Sequence, residues 1–339
     1  MAPLHPFSLH LLLLQSTISI AIQHGPFTNH FVRYLSSNPM RNEYILSAYR
    51  EYDETGTFGG VEGEQEISRQ PVIFVHGNSD SALFHSETAT GWTKHVEYFK
   101  KKGYNSAELY GLTYGDRNIM NSIHNRISCR NVLGIRRFIE AVVSYTQASK
   151  VDVIAHSMGV TLVRKAIQGG RIALPTENCD LGPPLNNTVD TLLAISSANR
   201  GMCMCLMTAL KATNACSPQD GYWPGECGNT KANEKMCAAD FAECDKSDYA
   251  DVLKKVNDGL AKETSEADFI VSMWSRDDPV LGKDNFVWGR KTSIVPYSNV
   301  TIELEHLDHT QTKDNTVHDQ YLLVTQHNRH STRTTRALP

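Results

Sequence analysis

Short apolar runs rich in Val, Ile and Leu recur along the chain, separated by stretches whose apolar positions follow a helical period. The clearest runs are Val72 to Val75, Val151 to Ala155, Leu192 to Ile195, Phe269 to Met273 and Val300 to Leu304. Segments this short and this apolar read as buried parallel strands. Between the first two lie two helical stretches, Trp92 to Lys102 and Val132 to Ala148, the second with Ile135, Phe138, Ile139, Val142 and Val143 on one stripe. Strand, helix and strand in alternation predict an α/β fold: a mostly parallel sheet with helices on both faces. No internal repeat is present.

Two segments depart from this rhythm. From about Gly201 to Asp251 the chain gathers six of its eight cysteines, the turn formers Gly221, Pro224, Gly225 and Gly228, and an apolar patch of Met202, Met204, Leu206, Met207 and Leu210. This predicts a cysteine-rich, cap-like insertion about 201–251, stapled because it cannot build a core of its own. The other is the N-terminus, where Leu9, Leu11 to Leu14, Ile18, Ile20 and Ala21 precede the polar Gln23 and His24. The run is too short to span a bilayer and has the length of a signal-peptide core; Ser19 and Ala21 supply the small residues of a cleavage site, although the start lacks Lys or Arg. The expected organisation is a signal peptide over 1–21, one domain over 22–325, and a basic flexible tail over 326–339 carrying Arg329, Arg333 and Arg336.

Composition and charge narrow the picture further. With 339 residues, 40% hydrophobic and 21% charged, the chain can bury a full core. Its net charge of -4 is spread without long like-charged runs, which argues against a nucleic-acid groove and a polybasic membrane anchor. No stretch of the mature chain is long and apolar enough to be a transmembrane anchor. The cysteines, Cys129, Cys179, Cys203, Cys205, Cys216, Cys227, Cys237 and Cys244, lack the paired spacing of a zinc site. Disulfides in an oxidising compartment are therefore expected, with the connectivity left open. Two sequons, Asn186-Asn187-Thr188 and Asn299-Val300-Thr301, would accept glycans on a secreted chain.

The chemistry is concentrated after the second strand. Val151 to Ile154 run into Ala155-His156-Ser157-Met158-Gly159, and the apolar helical positions Val160, Leu162, Val163, Ala166 and Ile167 follow until Gly169-Gly170. A serine at a sharp strand-to-helix turn, with small residues two before and two after it, forms a nucleophile elbow. The turn exposes the hydroxyl beside a helix start, where amides favour a developing oxyanion. Upstream, the strand Val72 to Val75 ends in His76-Gly77-Asn78, so the amides of Asn78 and Met158 are assigned as the oxyanion hole. His76 reads as a structural loop residue. A serine nucleophile needs a base, and the base needs a carboxylate; in the α/β-hydrolase fold they follow in the order serine, acid, histidine. After Phe269 to Met273 two carboxylates compete, and Asp278 is preferred to Asp277, with Asp284 read as surface. After Val300 to Leu304, His309 is preferred to His306, and His318 is a remote third.

Over residues 68 to 325 the chain resembles the class 2 lipase family, including nematode-type secreted forms and small Bacillus lipases. The likeness rests on Val75-His76-Gly77-Asn78-Ser79-Asp80, on the elbow with Ala155 in place of the usual first glycine, on Ser196-Ser197-Ala198-Asn199-Arg200-Gly201, on Ser275-Arg276-Asp277-Asp278, and on Asp308-His309 followed by Thr312-Lys313-Asp314. It implies Ser157, Asp278 and His309 as a triad, and a secreted enzyme that hydrolyses carboxylic esters, acylglycerols first among them. The cysteine-rich segment departs from the compact, lidless bacterial members. The expected partner is a lipid or ester substrate, with transient contact to a lipid interface; neither a metal nor an organic cofactor is needed for such chemistry. Three other readings stand beside this one: a short-chain carboxylesterase, a catalytically silent secreted lipid-binding protein, and an acyltransferase.

Overall fold

A computed structural model describes residues 24–174, 177–226, 237–238, 248–258 and 265–327. The expected signal peptide, Cys227, Cys244 and all but Gln326 and His327 of the expected tail lie outside the described residues.

The five apolar runs all become strands of one seven-stranded sheet. In chain order its strands are β1 (Thr57–Phe58), β2 (Val72–Val75), β3 (Leu109–Leu112), β4 (Val151–His156), β5 (Val189–Ile195), β6 (Phe269–Ser275) and β7 (Val300–Leu304). They lie side by side in the order β1, β3, β2, β4, β5, β6, β7. Only β1 runs antiparallel, paired with β3; every other neighbouring pair is parallel. This is the α/β-hydrolase fold expected from the elbow and the resemblance, with the mostly parallel sheet that the periodicity predicts. Because the pairs are parallel, the C-terminal ends of β2, β4, β5, β6 and β7 open onto one edge of the sheet, where the loops can converge on a ligand.

Strand alternation splits the core into two layers. Ile73, Val75, Val153, Ala155, Leu192 and Ala194 point into one cluster, shared with helices α1 (Asn29–Ser36), α2 (Glu43–Glu51), α4 (Cys129–Thr146) and α5 (Met158–Gln168). Their neighbours Val72, Phe74, Ile154, Leu193 and Ile195 point into the other, against α3 (Thr93–Lys101). That layer also receives Leu323 and Val324 of a C-terminal helix, Val317–Gln326. Burial on both faces explains why Val, Ile, Leu, Phe and Ala dominate these strands. Helix α4 starts at Ser128, whose hydroxyl accepts the Asn131 amide. The sequence pattern did not single out α1 and α2, which are only eight and nine residues long. Phe31 and Leu35 of α1, one turn apart, are fully buried.

Three disulfides are present among the described residues: Cys129–Cys179, Cys203–Cys237 and Cys205–Cys216. The last two close loops within the cysteine-rich segment, whereas the first ties the start of α4 to Cys179. Cys205, Cys216 and Tyr222 are buried in the same cluster as α5, so this part of the excursion packs on the main core. Cys203 and Cys237 instead join Val287 and Trp288 in a small separate cluster. Helix α6 (Asp251–Asp258) returns the chain to the sheet, and α7 (His309–Asp314) and α8 (Val317–Gln326) follow β7. Among the described residues no helix is long and apolar enough to cross a membrane.

Candidate active site

Ser157 ends β4 and begins α5 with φ 54° and ψ −127°, a backbone conformation that a non-glycine residue adopts only under constraint. Three neighbours supply that constraint. The Ser157 amide donates to the Ile195 carbonyl at 2.8 Å. A Cβ on Gly159 would lie 2.3 Å from the His76 carbonyl oxygen, and one on Gly77 would lie 3.0 Å from Ser157 Cβ. Strand and helix therefore meet so closely that glycine is required at 159, and the small, fully buried Ala155 fits on the strand side. The tightness of this turn leaves the Ser157 hydroxyl pointing off the sheet edge.

His309 is the first residue of α7, whose start is fixed by a capping box between Asp308 and Gln311. Its Nε2 lies 2.8 Å from Ser157 Oγ and its Nδ1 lies 2.7 Å from Asp278 Oδ2. The side chain of Asp278 is fully buried, and its second oxygen accepts the amides of Val280 and Leu281 at 2.9 and 3.2 Å. With one oxygen held by backbone, the other can only face the imidazole. An Nδ1–H donated to that carboxylate leaves Nε2 as the acceptor of the serine proton. The competing residues pair elsewhere: Asp277 accepts the His306 amide at 2.6 Å and lies 3.7 Å from its ring, both side chains being exposed, while His318 meets Tyr98 Oη at 2.7 Å. Asp284 sits away from the triad, and its carbonyl accepts Lys291 Nζ.

Two further histidines brace this arrangement. His156 donates from Nε2 to the His309 carbonyl at 3.0 Å, and burial holds its pKa well below the ordinary imidazole value, reinforced by the charges of His309 and Lys313. His76 stacks on Tyr114 with ring centroids 4.2 Å apart, donates to the Gly77 carbonyl and accepts the Tyr114 amide. Burial lowers its pKa to about 4, against the opposing pull of Asp80. Both rings are thus neutral scaffolding near pH 7, which is the loop role expected for His76.

Asn78 and Ser157 line the same cavity of about 310 Å³. Met158 opens α5, so its amide is among those at a helix start that lack an intrahelical acceptor. The side chain of Asn78 turns the other way, donating to the Ser122 carbonyl and accepting from Asn125. It thereby ties the loop after β2 to the 3-10 segment Ile119–His124. That segment forms one wall of the cavity with Ile119, Ser122 and Ile123; Met202, Met204, Leu210, Ala215 and Cys216 form the other. Met202, Met204 and Leu210 of the apolar patch in the cysteine-rich segment therefore line the site. The facing wall was missed in the sequence, where Ile119, Met120 and Ile123 are the only signal, in a segment too short to show a period.

The family model described as Lipase (class 2) matches residues 69–322, more than half of the 339-residue chain. Among curated proteins, none matches. Solved structures with a similar fold include lipase B of Aspergillus fumigatus, at 14% identity and a TM-score of 0.41, covering 73% of this chain and 48% of that one. The chain thus spans about half the length of that lipase. Carboxylesterase CesB of Bacillus subtilis is 11% identical with a TM-score of 0.42, covering 89% of this chain and 100% of that one. An esterase of Thermogutta terrifontis is 9% identical with a TM-score of 0.38, covering 82% and 89%. At these values the structural likenesses add nothing to what the strand order already says of the fold. The sequence match does add something: this chain belongs to the class 2 lipase family.

Proposed function

We propose that the protein is a secreted hydrolase of acylglycerol lipids that works through Ser157, His309 and Asp278. The observation that carries this reading is the continuous hydrogen-bonded row from Ser157 Oγ through His309 to Asp278 at the wall of a mainly apolar cavity. In the reaction, His309 Nε2 takes the serine proton as Oγ attacks the ester carbonyl carbon. The carbonyl oxygen becomes an oxyanion that the Asn78 and Met158 amides stabilise. Collapse breaks the bond to the alcohol, which leaves with the proton from His309, and the acyl group stays on Ser157. Water then gives its proton to His309 and attacks the acyl carbon, releasing the acid and restoring the serine. Asp278 holds the imidazole in the required tautomer and stabilises its charged form.

The apolar surroundings of the site favour a lipid. Methionines and aliphatic residues of both walls match an acyl chain, and Met120 (78% exposed) and Met207 (44% exposed) extend that character to the surface. Three disulfides among the described residues support passage through an oxidising compartment. The test is hydrolysis of emulsified long-chain triacylglycerol compared with a dissolved short-chain ester. The proposal expects the emulsion to be cleaved, with activity rising when the substrate passes its solubility limit. Cleavage of the dissolved ester alone would replace it with the short-chain carboxylesterase reading.

A further inference from the structure

Lys313 lies one turn after His309 on α7, and its side chain is fully buried. An ammonium group without water must find its partners in the protein. Its Nζ donates to Thr90 Oγ1 at 2.9 Å and to the Gly91 carbonyl, and lies 3.0 Å from Asp314 Oδ1, 3.4 Å from Asp80 Oδ2 and 5.0 Å from the centre of the Trp92 ring. Asp80 is the partner that belongs to the loop after β2. Its other oxygen accepts the amides of Ser81 and Gly91, both at 2.9 Å, and its own amide donates to the Gly77 carbonyl at 3.4 Å. Asp80 is therefore built into the loop that carries Asn78, and Lys313 into the helix that carries His309.

We propose that Asp80 and Lys313 are a positioning pair, a buried strut that fixes the His309 imidazole relative to the oxyanion donor at Asn78. The inference rests on the triad assignment above. Neither side chain lines the cavity, so neither touches the ester, and an effect on ester binding is not expected. What the strut controls is the separation between the group that takes the proton and the group that stabilises the oxyanion, and this matters when charge develops. A pair that served stability alone would do as well as two apolar residues of similar volume.

The test uses Lys313→Met, Asp80→Asn and the double variant of the full-length protein. Reactive sites are counted by exhaustive labelling with a fluorophosphonate, and kcat and KM for a dissolved p-nitrophenyl ester are expressed per labelled site. The strut predicts that kcat per site falls about 10- to 100-fold in each single variant while KM stays at the wild-type value. It also predicts that the double variant is no slower than Lys313→Met, because one interaction is lost in each case. Fewer labelled sites with wild-type kcat per site would mean a purely structural role and would overturn the proposal. Should Lys313→Met fail to fold, Asp80→Asn decides by the same criterion, since it is isosteric and leaves the ammonium its other partners. A wild-type protein that takes no label at Ser157 would instead overturn the triad on which the strut depends.

Discussion

Ser157, Asp278 and His309 follow the ends of three separate strands, and each is held in place before any substrate arrives: by the Ile195 carbonyl for the serine, the Val280 and Leu281 amides for the aspartate, and a capping box at the helix start for the histidine. Such preorganisation predicts steep and unequal losses. Ser157→Ala should lower kcat by a factor on the order of 10⁶, and Asp278→Asn by about 10⁴, through loss of the correct tautomer. Asp277→Asn, one residue away, should leave kcat nearly unchanged, because that carboxylate only meets His306 on the surface. Steady-state kinetics on one ester with all three variants checks the ordering. That these three side chains meet could be anticipated from the sequence, because chain order and strand ends constrain where a candidate acid and base can stand. Asp80 and Lys313 were visible only as parts of motifs, since nothing in a linear pattern shows that a lysine loses all its water.

At the scale of elements, the elbow and the strand beneath it can be tested separately. Gly159→Ala places a methyl against two carbonyl oxygens, of His76 and Val75, that belong to backbone and cannot step aside. A cost of about 3 kcal/mol is expected, read as a lower urea midpoint. Asp152, at the start of β4, is buried, and burial raises its pKa from 3.8 to about 7, helped by Asp190 and opposed by hydrogen bonds from Gln70 and Thr191. Between those two values the folded chain holds a proton that the unfolded chain has lost. Its contribution to stability is therefore complete below about pH 4 and disappears as pH rises towards 7. Asp152→Asn removes this slope, so the variant should gain in Tm over the wild type at pH 8 compared with pH 4; parallel Tm curves across that range would refute the assignment. The long apolar strands and α4 were read correctly because burial on both faces leaves a dense apolar signal. Helices α1 and α2 were not, because eight or nine residues offer too few turns for a stripe to stand out.

The whole molecule presents one end of the sheet as a candidate reaction centre walled on one side by the segment Ile119–His124 and on the other by an excursion in which Cys205–Cys216 closes a loop. Asn214 Nδ2 donates to the His124 carbonyl at 3.2 Å, so the two walls touch. The excursion could be anticipated from its cysteines, but its partner wall could not, because the pairing is made through space between short irregular segments. If this end meets a lipid surface, Met120→Ser with Met207→Ser should lower activity on emulsified triacylglycerol about tenfold and leave cleavage of a dissolved short ester unchanged. Equal losses on both substrates would point to damage inside the cavity. The proposed chemistry depends on one nucleophile, and the most direct measurement is the site at which a fluorophosphonate attaches, found by peptide mass spectrometry on the folded protein. A single adduct on Ser157 that disappears in His309→Ala is the predicted result; an adduct on another residue, or ester hydrolysis surviving in Ser157→Ala, would contradict it.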